Sequence, residues 1–227
     1  MTSEQTNAAP TCRRCGTCCE QGGPALHGED RELIDSGALG RNDLVTIRRG
    51  EPAYDQRQGR VVAAEQEFLK LAGARGSWRC KFHVQPGSCG IYGQRPLECR
   101  LLFCQDTAAL EAVMGRDLLS RRELLAGDDP ALEWLAKLEL EVVYQEVLAL
   151  LAELRQPASA PASLAQLTGL VRADLALRES FLHRFPQRGA EELFLLGRPL
   201  FLVIAPYGCR LVEDRNGVEL QHHESRL

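Results

Sequence analysis

Two blocks of cysteines constrain this chain more than any other feature. Eight of its nine cysteines fall in Cys12-x2-Cys15-x2-Cys18-Cys19 and Cys80-x8-Cys89-x9-Cys99-x4-Cys104, with residues 20–79 free of cysteine between them. A C-x2-C step folds as a tight turn that aims two sulfurs at one centre, about 4 Å apart. The fold must therefore bring the blocks together or build two sites. The opening MTSEQTNAAPTC is polar and lacks the basic start and apolar core of a secretory signal. No run approaches the roughly 18 to 20 apolar residues of a membrane span. The expected location is cytoplasmic, where thiols stay reduced and regularly spaced cysteines are metal ligands before they are disulfides.

Charge points the same way. The formal net charge of −4 argues against general nucleic-acid binding, which calls for a basic excess. Around the cysteines the balance reverses: windows 12–20 and 75–105 carry Arg13, Arg14, Arg75, Arg79, Lys81, Arg95 and Arg100 against Glu20 and Glu98. Four thiolates on Zn²⁺ or on a [4Fe–4S]²⁺ core leave two net negative charges, costly to bury uncompensated. Arginine and backbone N–H groups beside the sulfurs lower that cost and, around a cluster, tune its potential. Cys104, just ahead of an expected helix, would gain from the helix dipole as a thiolate. Such a basic shell suits a buried metal centre of either kind, zinc or iron–sulfur.

The remaining pattern predicts an α+β fold: an irregular, metal-organised N-terminal cysteine-cluster domain (1–110), then a helical middle and a small β-rich C-terminal tail (111–227), either separate from the first domain or continuous with it. Glu29–Leu39 reads as a short helix with Leu33 and Ile34 as its apolar face. LVTIRRG, GRVVAAE and EFLKLAG between Asp43 and Ala74 read as strands, punctuated by Gly50, Pro52, Gly59 and Gly73. Beyond Cys104, a helix through Met114 is expected, continuing in DLLSRRELLAG. Asp129-Pro130 starts another that runs to Arg155 on the stripe Leu132, Leu135, Leu138, Val142, Val143, Leu150 and Leu154. PASAPAS (157–163) reads as a linker or exposed loop, followed by a helix over Leu164–Phe185 and a helical piece at Ala190–Leu196. LFLVIA (200–205), CRLVED (209–214) and VELQH (218–222) read as strands, with a hairpin turn at Asn216-Gly217.

Three cysteines at C-x2-C-x2-C spacing with Gly16 in the turn resemble the cubane-binding run of bacterial ferredoxins, whose remaining ligand lies far away in sequence. Cys19 departs from that pattern. Adjacent side chains point oppositely in extended backbone, so Cys18 and Cys19 are not expected to serve one ion together. Over residues 12–106, CRRCGTCCE, WRCKFH, CGIYGQRPLECR and the closing cysteine at 104 together resemble the YkgJ family of zinc- or iron-chelating CxxCxxCC proteins. The resemblance implies that Cys12, Cys15, Cys18, Cys19, Cys80, Cys89, Cys99 and Cys104 are the cluster residues. Some members are joined to flagellin lysine N-methylases in which an iron–sulfur cluster is implicated, which leans the expected cofactor toward iron–sulfur, [4Fe–4S] among the candidates, with a zinc or iron ion as the alternative.

Other residues read more plainly. Arg95 donates to the centre or pairs with Glu98, Tyr92 packs over the site, and Trp78 and Phe82 shield it from water. His83 reads as a bystander among so many thiols, although imidazole suits zinc and iron. His27 reads as a loop residue, His222-His223 as an exposed pair, and Cys209 as a small buried hydrophobe. No G-x-G-x-x-G, Walker-type or G-x-S-x-G motif is present. The expected role is metal or cluster binding, with electron transfer or metal handling as its consequence. A cluster-dependent enzyme resembling the lysine N-methylases and a zinc-stapled module for a protein partner are the alternatives.

Overall fold

The computed structural model describes residues 12–74, 77–84, 87–215 and 217–223. Its first half carries α1 (Thr17–Glu20), α2 (Arg31–Asp35), β1 (Leu44–Ile47), β2 (Pro52–Asp55), β3 (Arg60–Ala63), β4 (Phe68–Leu71), β5 (His83–Val84), β6 (Ser88–Cys89), α3 (Leu97–Leu101) and α4 (Ala108–Glu111). There follow α5 (Ala131–Glu141), α6 (Tyr144–Glu153), α7 (Ala160–Arg184), α8 (Glu192–Leu196), α9 (Leu200–Ile204), β7 (Cys209–Asp214) and β8 (Gly217–His222). The strands pair as two-stranded sheets, β1 with β4, β2 with β3, β5 with β6 and β7 with β8. Helices with small sheets make the α+β class.

The chain forms two compact units. One is Met1–Gly40 with Leu71–Leu119; the other is Arg41–Lys70 with Ser120–Leu227. The first holds both cysteine blocks and only short elements. Leu26, Leu39, Leu71, Leu110 and Leu119 form its small apolar core, and a buried carboxylate adds to them. Asp30, 1% exposed, accepts from the His27 amide at 3.0 Å and the Leu97 amide at 2.8 Å. Leu97 opens α3, whose first amides have no partner within the helix. Asp30 thereby fixes the start of the element that carries Cys99.

The second unit is built around its helices, which bury Leu135 and Leu138 of α5, Val147 and Leu151 of α6, Leu167, Val171 and Phe181 of α7, and Phe194–Leu196 of α8. The stripe expected to run unbroken to Arg155 splits between α5 and α6. Val142 and Val143 leave the helical region, at ψ 88° and 107°, as adjacent β-branched residues favour. Extended backbone sends residues two apart to one side, so Val142 and Tyr144 are both buried while Val143 is 43% exposed. PASAPAS is not a plain linker: α7 begins inside it, with Pro161 in the first turn where its missing N–H costs nothing.

The expected strand LFLVIA is instead α9. Asp174 of α7, buried, accepts the Leu200 amide at 2.9 Å and so supplies a partner for the first turn of that helix. DLLSRRELLAG keeps only a 3-10 turn at Arg121–Leu124, opened by a Ser120/Glu123 capping box; buried Arg121 is held there by Glu67 at 2.9 Å and Glu139 at 3.0 Å. The helix through Met114 shortens to α4. β2 was not foreseen; Pro52 is its first residue, a position where proline withholds no ladder bond. β7 and β8 pair antiparallel with Asp214 opposite Gly217. Asn216 of the expected turn and Arg75 lie outside the described residues.

Candidate metal centre

Gly16 sets the geometry of the first block. At φ +82° it takes a left-handed conformation that side chains resist, and α1 starts behind it with the Glu20 amide bonded to the Gly16 carbonyl at 3.0 Å. Cys18 and Cys19 therefore sit on a helical turn, not on extended backbone, and their sulfurs lie 4.0 Å apart. The expectation that they point oppositely is corrected by this turn: successive helical side chains diverge by only about 100°.

The second block is pressed onto the first. The Cys80 amide donates to the Cys19 carbonyl at 2.7 Å. β5 and β6 form a short antiparallel hairpin in which His83 stands opposite Cys89. At the end of that hairpin Gly87 packs on the first block so closely that a Cβ there would lie 2.9 Å from the Arg14 carbonyl oxygen. Arg14 and Arg95 both stack on Tyr92, 4.0 and 3.8 Å from its ring centroid, a cation–π arrangement that joins the blocks a second time.

Five thiols come under one another's influence. Burial, followed by the Cys18, Cys80 and Cys89 neighbours, pushes the Cys19 pKa up to about 12. Burial also pushes Cys99 well above the ordinary thiol range, with Cys80, Cys18, Cys19 and Cys89 adding to it. Cys80 is raised by burial, then by Cys89 and Cys18. Without a cation this environment favours neutral thiols; a bound cation reverses the preference, because metal ligation takes the thiolate form. The donor set, sulfur-rich with an imidazole nearby, is the chemistry that zinc, iron and iron–sulfur clusters select. Among the described residues no three His, Cys, Asp or Glu side chains are placed to hold one ion as they stand, so ligation requires the gathered thiols to draw in.

Cys12, Cys15 and Cys104 are exposed. The Cys12 sulfur accepts from the Arg14 amide at 3.3 Å, and hydrogen bonding with Thr17 lowers the Cys15 thiol pKa. Arg95 pairs with neither a sulfur nor Glu98: it donates to the Tyr92 and Cys99 carbonyls at 3.0 and 3.3 Å. Glu98 instead accepts from the Ala25 amide at 2.8 Å and faces His27 Nε2 at 3.3 Å. His27 is thus no loose loop residue; it is buried, and its Nδ1 donates to the Arg116 carbonyl at 2.8 Å. This Asp30–His27–Glu98 clamp, absent from the sequence reading, has one visible sign in sequence, the acidic residue three positions after His27. Trp78 is 64% exposed, whereas Phe82 is half-buried. His222 is half-buried beside exposed His223, and Cys209 is buried as expected, its pKa raised to about 11 by burial.

Residues 11–113 match the family model CxxCxxCC, described as "Putative zinc- or iron-chelating domain". This part of the chain, which includes both cysteine blocks, carries that domain, and the resemblance read over 12–106 agrees with it. No curated protein and no solved structure matches the chain. Among the described residues no helix is long and apolar enough to cross a membrane.

Proposed function

We propose that the chain binds iron or zinc through its two cysteine blocks, and that the occupant is an iron–sulfur cluster in preference to a single ion. The observation that carries this reading is the gathering of Cys18, Cys19, Cys80, Cys89 and Cys99, from both blocks, within electrostatic reach of one another. These five are the core ligand candidates, with Cys12, Cys15 and Cys104 completing the set. The C-x2-C-x2-C run and the surplus of thiols over the four that zinc takes favour a cluster. When bound, a cluster supplies one-electron redox chemistry, whereas zinc supplies a cross-link. The chain's own part is to hold the sulfurs, to set Lys81 near Cys80 and Arg13 near Cys15 as cations that favour the thiolate form, and to fix α3 through Asp30.

Anaerobic purification followed by iron, zinc and acid-labile sulfide quantitation tests the reading. Iron with comparable sulfide and a broad absorption band near about 400 nm is the expected result. Zinc without sulfide replaces the cluster with an ion, and a folded, disulfide-bonded chain free of both metals overturns metal binding altogether. Cys209→Ser should retain the metal, while Cys80→Ser or Cys99→Ser should lose it.

A further inference from the structure

His83 has no role in the reading above, yet its position is unusual. The residue is half-buried, but both ring nitrogens are shut off from solvent and neither has a hydrogen-bond partner among the described residues. Its backbone is well held, with the amide donating to the Cys80 carbonyl at 2.9 Å. Directly opposite residues of an antiparallel pair project to the same face, so the imidazole stands beside the Cys89 side chain. On its other edge, Nε2 lies only 2.6 Å from where a Cβ on Gly16 would begin, and Cε1 lies 3.4 Å from it. The ring therefore occupies the space that a glycine leaves in the turn between Cys15 and Cys18. It is wedged between its own hairpin in the second block and the turn of the first.

Buried polar groups are nearly always paired, and an imidazole buried with both nitrogens unmet calls for a missing partner such as an ion. Neutral imidazole is a common metal ligand, and it suits both zinc and iron. We infer that His83 ligates the metal through a ring nitrogen, giving the centre a mixed cysteine–histidine shell. Nε2 is the donor that faces the first block. A mixed shell carries less negative charge than an all-thiolate one, because imidazole replaces an anion with a neutral ligand. In a cluster, such replacement raises the reduction potential, as histidine does in Rieske centres.

This inference rests on the metal-binding reading, and the test separates the two. X-ray absorption is recorded at the edge of whichever metal, iron or zinc, the anaerobically purified full chain holds. The expected spectrum contains the outer-shell scattering of an imidazole; for zinc, a nitrogen at about 2.0 Å accompanies sulfurs at about 2.3 Å. In His83→Leu that signature should vanish, and metal affinity should fall at least about tenfold. Should His83→Leu fail to fold, His83→Cys keeps a donor in place and should retain the metal while losing the imidazole signature. Bound metal with an all-sulfur shell, or imidazole scattering that survives either substitution, overturns the ligation and leaves the metal-binding reading intact. A chain that holds neither metal overturns both.

Discussion

Gly16 meets two demands that no other residue can satisfy. Its φ of +82° is a conformation that costs an L side chain about 1–2 kcal/mol, and a methyl group there would begin 2.6 Å from His83 Nε2. Gly37 shares the first demand, at φ +77°, but among the described residues nothing would lie within 4 Å of a Cβ there. Gly37→Ala should therefore lower stability by the backbone cost alone. Gly16→Ala should lower it further and weaken metal binding, and denaturant midpoints with and without bound metal measure the difference. Cys209 offers a cleaner titration, because burial is the one cause of its shift. Its folded pKa is raised from 9.0 to about 11 by burial, so the folded chain holds the thiol proton more tightly than the unfolded chain does. Stability from this group is complete below about pH 9 and is lost at up to about 1.4 kcal/mol per pH unit toward pH 11. Cys209→Ala should flatten the alkaline limb of a stability–pH profile taken by denaturant unfolding. A profile unchanged by the substitution would contradict the raised pKa.

Among the elements, α7 shows how an ion pair can place its neighbours. Arg178, 3% exposed, donates to Asp174 at 3.0 Å, to Glu192 at 2.9 Å and to the Leu196 carbonyl at 3.0 Å. Asp174, fully buried, accepts the Leu200 amide. One pair on α7 thus satisfies the end of α8 and the start of α9. This is also why LFLVI misleads in sequence: its composition favours a strand, and its helical partner Asp174 lies far back in the chain. Asp174→Ala should destabilise the protein by about 1–3 kcal/mol, because it strips buried Arg178 of one of its two carboxylates and leaves the Leu200 amide without its acceptor. Asp174→Asn keeps an acceptor for Leu200 and should cost less, and urea unfolding of the two variants ranks them. Elements whose signals are local were legible: the Leu-rich helices, the strands at Leu44, Arg60 and Phe68, and the β7–β8 pairing. Those decided by distant partners were not. The Val142-Val143 break and the early start of α7 fall between, since β-branching and proline position foretell both once burial is known.

At the scale of the molecule, the cysteine spacing located the candidate site, but the convergence of its blocks was not readable from spacing alone. It depends on the Cys80–Cys19 backbone bond, the stacking of Arg14 and Arg95 on Tyr92, and the seat of His83 against Gly16. The two compact units also differ in what holds them. The unit containing the cysteines has helices of only four or five residues and two-residue strands, too short to be stable in isolation. Its apolar core is small, so bound metal should supply much of its folding free energy. The other unit buries long helical faces of α5, α6 and α7 and needs no such cross-link. Stripping the metal with a chelator should therefore separate unfolding into two transitions, the earlier one belonging to the cysteine-bearing unit. Far-ultraviolet circular dichroism should change little in that first step, because most helix lies in the other unit, while amides around Cys80 and Cys99 should lose hydrogen-exchange protection. A chain that retains a single transition and full protection there after chelation would show that the cysteine-bearing unit folds without its metal.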